Sequence, residues 1–144
     1  MLFDNKSSTL GFIGNYTSVD EVVELDKMEL QEISGSFEAI AGRMREIVEF
    51  AMKNSRYLPK KIDNKIEVFN YVTTRGEQQC PFEGCDFEGR KIPAWNENVL
   101  IIDLLTGKEL VINSGTEHLA RVHNLLEKGN KYGVSAKEFY EHFM

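Results

Sequence analysis

The chain has 144 residues, with 17 Lys and Arg against 23 Asp and Glu, for a formal net charge of −6. That length suits one domain burying about two-thirds of the surface its unfolded chain exposes, so a core forms without disulfides. The acidic balance argues against non-specific DNA or RNA binding, which needs phosphate-neutralising cations, and no apolar run suits a signal peptide or a membrane span.

The N-terminal part reads helical. Ser18-Val-Asp-Glu21 has the form of a capping box and Asp26-Lys-Met-Glu29 repeats it, which predicts two short helices or one bent helix over 19–32. Ser34-Gly-Ser36 then breaks the chain. Phe37, Ile40, Ala41, Met44, Ile47, Val48 and Ala51 recur at helical spacing and predict a core-filling helix over 37–54. After Pro59 the character changes. Residues 65–74 (KIEVFNYVTT) are rich in β-branched and aromatic side chains and read as a strand. Residues 98–105 and 108–113 read as two more, joined by a tight turn at Thr106-Gly107. Ser114-Gly-Thr-Glu117 is a third capping-box sequence, opening a helix that Gly129 closes, and Ser135-Ala-Lys-Glu138 opens a short terminal helix. Helices, then strands, then helices predict an α+β fold with N-terminal helices packed on a small antiparallel sheet. The expected organisation is a single domain, with a helical portion at 1–60 and a hairpin and helix portion at 61–144.

The chemistry concentrates in a few residues. Cys80 and Cys85, in the stretch CPFEGC, are the only cysteines, and the helix opening at 114 carries His118 and His123, two of three histidines. The pattern is Cys-x4-Cys, then 32 residues, then His-x4-His. Zinc favours four such ligands in a tetrahedron, a Pro/Gly turn offers backbone N–H groups to thiolate sulfur, and a helix can carry two imidazoles. Residues 75–98 hold few aliphatic side chains and many charged ones, so they need another means of ordering. Two thiolates and two neutral imidazoles balance the charge of a zinc ion, which permits partial burial.

Cys80, Cys85, His118 and His123 resemble the ligand set of the two-cysteine, two-histidine zinc finger over about 75–128. The resemblance implies a structural zinc on a β-hairpin-plus-helix unit. The gap between ligand pairs is 32 residues, against about a dozen in that family. Gly89 and Gly115 occupy the offsets of the family's buried aromatic and leucine. The segment that would read DNA is INSGTE, without a Lys or Arg.

Other readings stand beside this one. A pair of thiols can be a redox dithiol, although Cys-x4-Cys lacks the Cys-x-x-Cys geometry. His118 and His123 can be satisfied core residues, since positions five apart on an ideal helix point about 140° apart. Glu117 beside His118 invites comparison with a general base, and a zinc hydrolase is one alternative, but His-Glu-x-x-His is absent. The terminal helix carries Lys137 against Glu138 and Glu141, a poor match to a groove-reading helix. Tyr71, Phe82, Phe87 and Trp95 read as cover for a small metal unit. The expectation is a cytoplasmic zinc-binding protein with reduced thiols and a structural zinc, without catalytic residues, acting on a protein partner. Nucleic acid is a disfavoured alternative, and no membrane association is expected.

Overall fold

Ser36 begins the central helix. Its extended backbone and its hydroxyl, which accepts the Ala39 N–H at 3.1 Å, start α2 (Phe37–Lys53). All seven apolar positions of the predicted stripe are buried. The computed structural model describes residues 19–82, 85, 94–126 and 134–144. In chain order the described elements are α1 (Val19–Glu32), α2, a short 3₁₀ turn (Ser55–Tyr57), β1 (Lys60–Lys61), β2 (Ile66–Gln79), β3 (Ala94–Asp103), β4 (Glu109–Ile112), α3 (Ser114–His123) and α4 (Ala136–Phe143).

The four strands form one antiparallel sheet in the order β1-β2-β3-β4. Side chains alternate across it, as a pleated strand requires. Ile66 and Val68 of β2, Val99 and Ile101 of β3, and Leu110 and Ile112 of β4 turn to one face and join the buried side chains of α2. The fold is therefore α+β, with helices on the sheet, as the element order implies. The β2–β3 ladder slips between Val68 and Asn70 and again between Thr73 and Gln78. The pairing resumes at Gln78 opposite Trp95 and runs to Gln79 opposite Ala94, so β2 carries the chain out to the end of a long hairpin.

Several details differ from the sequence reading. β3 ends at Asp103, so residues 104–108 make the turn expected at Thr106-Gly107. The 19–32 region is one helix over the expected span, but the box at Asp26 does not start a helix, because Asp26 lies in the helix interior. The Asp26 and Glu29 carboxylates do serve a helix N-terminus, but it is that of α4. Asp26 accepts the Ala136 N–H at 3.1 Å and Glu29 accepts the Ser135 hydroxyl at 3.4 Å. The third capping box sits one residue early. Asn113 is the N-cap, its side chain accepting the Thr116 N–H at 2.8 Å while the Thr116 hydroxyl accepts the Asn113 N–H at 2.9 Å. Asn113 wins because Glu97 of β3 already accepts both the N–H and the hydroxyl of Ser114. Finally, α3 stops at His123, well before Gly129, which lies outside the described residues. The box at Ser135 forms as read, with Ser135 and Glu138 bonded reciprocally.

The β3–β4 turn is anchored by Asp103. Its carboxylate accepts the Leu105 N–H at 2.9 Å, the Thr106 hydroxyl at 2.9 Å and a bond from His142 Nδ1 of α4 at 2.7 Å. Gly107 supplies the left-handed backbone that the turn needs, at φ 77°. Alone, an eight-residue helix such as α4 is marginal in water. Burial of Phe139 and Phe143, at about 1.5–3 kcal/mol each, holds it in place. Arg43 of α2 and Lys65 donate to its last carbonyls, at Phe143 and Glu141, both at 2.8 Å.

Candidate metal centre

Cys80 is the first residue beyond β2, at the end of the long hairpin. Pro81 and Phe82 follow, and the Cys85 N–H returns to the Phe82 carbonyl at 3.3 Å, which turns the second thiol back beside the first.

The histidines arrive from α3, whose start is fixed by Asn113, Thr116 and Glu97. Burial pushes the Glu97 carboxyl up, but the Ser114 hydroxyl and N–H bond its ionised form and prevail, holding it below its usual value. The end of α3 explains the His-x4-His spacing. Asn124 adopts a left-handed conformation (φ 54°, ψ 39°), and its N–H bonds the Leu119 carbonyl five residues back instead of the usual four. Leu125 donates to the same carbonyl at 3.0 Å. Such a widened turn holds more residues than an ideal one, so positions five apart come round to one side. This removes the angular objection to His118 and His123 sharing an ion.

The four side chains meet. One ligand atom from each of Cys80, Cys85, His118 and His123 lies within 4.8 Å of the others. Cys80 Sγ is 3.4 Å from His123 Nε2, Cys85 Sγ is 3.5 Å from the same nitrogen, and Cys85 Sγ is 3.6 Å from His118 Nε2. A tetrahedral ion with bonds of about 2.3 Å to sulfur and about 2.0–2.1 Å to nitrogen places neighbouring S and N atoms about 3.6 Å apart. The observed separations therefore fit an S₂N₂ tetrahedron, and both imidazoles turn the same nitrogen inward. The rings stand 74° apart, with centroids at 5.2 Å, so they converge edge to face rather than stack on each other.

The surroundings are dry. Cys85 is 1% exposed and His118 5%. Burial pushes the Cys80 thiol up to about 11, with the neighbouring Cys85 adding to the rise. Burial also pulls His123 down to about 4, with His118 beside it contributing. Without an ion, the Cys80 thiol keeps its proton and His123 is neutral. A dication would displace the thiol protons and leave a neutral four-ligand complex.

No protein-family model, curated protein or solved structure matches the chain. The likeness to a two-cysteine, two-histidine zinc finger therefore rests on the geometry of the cluster alone. The topology also differs from that family: β3 and β4 lie between the cysteine turn and the histidine helix.

The remaining candidates fall elsewhere. Glu117 does not face the cluster as a free base. Arg45 of α2 and Arg121 of α3 bond its Oε1 at 2.9 and 2.6 Å. Burial pushes its carboxyl up, but the two guanidinium bonds prevail and hold it below its usual value. His142 belongs to the Asp103 turn. Phe82 lies over His123 as cover, whereas Tyr71 packs against the main core. Phe87, Gly89 and the Trp95 side chain lie outside the described residues.

One contributor, Val22, carried no signal in the sequence. Val22 of α1, Leu119 and Leu125 form a small buried cluster with Cys80 and Cys85, separate from the main core, with Val23 and Phe82 packed on it. Val22 lies 58 positions before Cys80 in the chain, and nothing local relates the two. Asn124 did carry one: it is a residue that tolerates the left-handed region, placed directly after the last histidine.

Proposed function

We propose that this chain is a zinc-binding protein in which Cys80, Cys85, His118 and His123 hold one structural ion. The observation that carries this reading is the set of three S···N separations of 3.4–3.6 Å among four buried or half-buried ligand atoms. Four protein ligands complete a tetrahedron and leave no position for a substrate or water, which favours a structural over a catalytic ion. Glu117, the nearest candidate base in the sequence, is engaged by two arginines.

The ion would join the end of the β2–β3 hairpin to the end of α3, across a stretch of chain with little apolar material. The domain is read as one unit over 1–144, cytoplasmic, with thiols kept reduced. Its role is that of a protein-interaction module. The positions preceding His118 support this over DNA reading: Gly115, Thr116 and Glu117 are buried, and Ser114 is bonded to Glu97. No described helix is long and apolar enough to cross a membrane.

Elemental mass spectrometry on protein purified without a metal-affinity tag tests the reading. The expected result is about one zinc per chain, lost together with thermal stability in Cys80→Ser and in His123→Ala. Zinc absent from the wild type, or retained in both variants, would overturn it. Retention on a DNA column that falls steeply with salt would move the role from protein to nucleic-acid binding.

A further inference from the structure

The first two turns of α1, residues 19–25, contain three valines at 19, 22 and 23. β-branched residues are weak helix formers, and a seven-residue segment has no helical stability of its own in water. Something must seat this half of the helix. The second half has its own anchors: Leu30 is buried in the main core, Ile33 packs on it just beyond the helix, and Asp26 and Glu29 bind the start of α4. The first half rests on the Cys/His cluster instead. Val22 is fully buried there against Cys80, Cys85, Leu119 and Leu125, and Val23 packs at its side.

That small cluster draws on three separate stretches of chain: α1, the cysteine turn and the end of α3. The stacking of Phe82 on His123 and the four-ligand set join the turn to the helix. We propose that residues 19–25 form a metal-dependent latch, seated on the centre when zinc is bound and released when it leaves, with Val22 as the side chain that shields the ion from water. The proposal rests on the zinc reading above and adds its regulation. Because coupling between two sites is reciprocal, a seated latch also retains the ion. Loss of zinc would expose an acidic, valine-bearing segment while α2, the sheet and α4 stay folded, which gives the centre a means of signalling its occupancy to a partner.

Amide hydrogen exchange on the full chain, zinc-loaded and after EDTA treatment, tests this directly. Exchange in 19–25 is expected to accelerate at least about tenfold on zinc removal, with 37–53 little changed. In parallel, Val22→Ala should speed zinc transfer to EDTA by about tenfold at unchanged stoichiometry. Phe139→Leu, a main-core change that lowers global stability, should leave the transfer rate near wild type. A chain that binds no zinc overturns the centre and the latch together. Stoichiometric zinc with 19–25 equally protected in both states, or with transfer equally fast in wild type and Val22→Ala, overturns the latch and leaves the centre standing.

Discussion

Phe82 lies flat on His123, with ring centroids 3.8 Å apart and planes within 8° of parallel. Phe82 belongs to the cysteine turn and His123 to the end of α3, so one contact fixes the imidazole plane and ties the two halves of the centre together. Groups that orient a ligand commonly change metal affinity by about 10–100-fold when removed. Phe82→Ala should weaken zinc binding within that range while stoichiometry stays at one. Phe82→Leu, which keeps the apolar cover and loses the stacking, should fall between the two. Competition against a chromophoric chelator would measure both, and an affinity unchanged in Phe82→Ala would assign Phe82 to cover only.

Asn124 sets the widened turn that lets His118 and His123 converge. A left-handed backbone costs an ordinary residue about 1–2 kcal/mol and glycine almost nothing. Asn124→Gly is expected to keep both stability and zinc affinity close to wild type. Asn124→Val should lower stability by about 1–2 kcal/mol and weaken zinc, because straightening the turn swings His123 away. Urea denaturation of the two variants, with and without zinc, distinguishes these outcomes.

Asp26 couples α1 to α4 through the Ala136 N–H. Leaving a buried backbone donor without its acceptor costs about 1–3 kcal/mol. Asp26→Ala should therefore lower stability by that amount with zinc stoichiometry unchanged. Asp26→Asn keeps an acceptor and loses only the charge at a helix N-terminus, about 0.3–1 kcal/mol. Equal losses in the two variants would show that charge, not the hydrogen bond, is the main contribution.

Asp103 gives the fold an acid-sensitive point away from the centre. Burial pushes its carboxyl up, but bonds from His142, the Leu105 N–H and the Thr106 hydroxyl prevail and hold it below its usual value. A carboxyl bound less tightly to its proton in the folded state stabilises the fold at pH values above its unfolded pKa of about 3.9. That contribution disappears as pH falls through the folded value. The stability difference between wild type and Asp103→Asn should thus shrink as pH is lowered from about 5 toward 2. Taking the difference cancels the titrating groups that do not touch Asp103. A difference that does not change with pH would mean that Asp103 contributes geometry and not charge.

The local elements were largely legible. The α2 stripe from Phe37 to Ala51, the strands β2, β3 and β4 and the box at Ser135 all follow from periodicity and from residues that act on their immediate neighbours. Readings failed where a distant group supplied what a local one was expected to give. Asp26 and Glu29 have the right types and spacing for an N-cap, but in the folded chain the N-terminus within their reach is that of α4. Ser114 has the right type too, but Glu97 from β3 holds it, so the cap falls to Asn113.

The same division runs through the centre. The sequence by itself determined the donor chemistry: two thiols and two imidazoles in pairs, on a turn and a helix, with a charge suited to a dication. Residue type is a local property and survives in any conformation. Only the tertiary structure decided that the pairs meet, because the 32 intervening residues include β3 and β4, whose register sets where α3 begins. It also decided that His118 and His123 face one point, through the widened turn at Asn124, and that Val22 joins the cysteines in one buried cluster from another helix. Those outcomes depend on packing between segments far apart in the chain, and no local pattern encodes a contact whose partner lies more than fifty residues away.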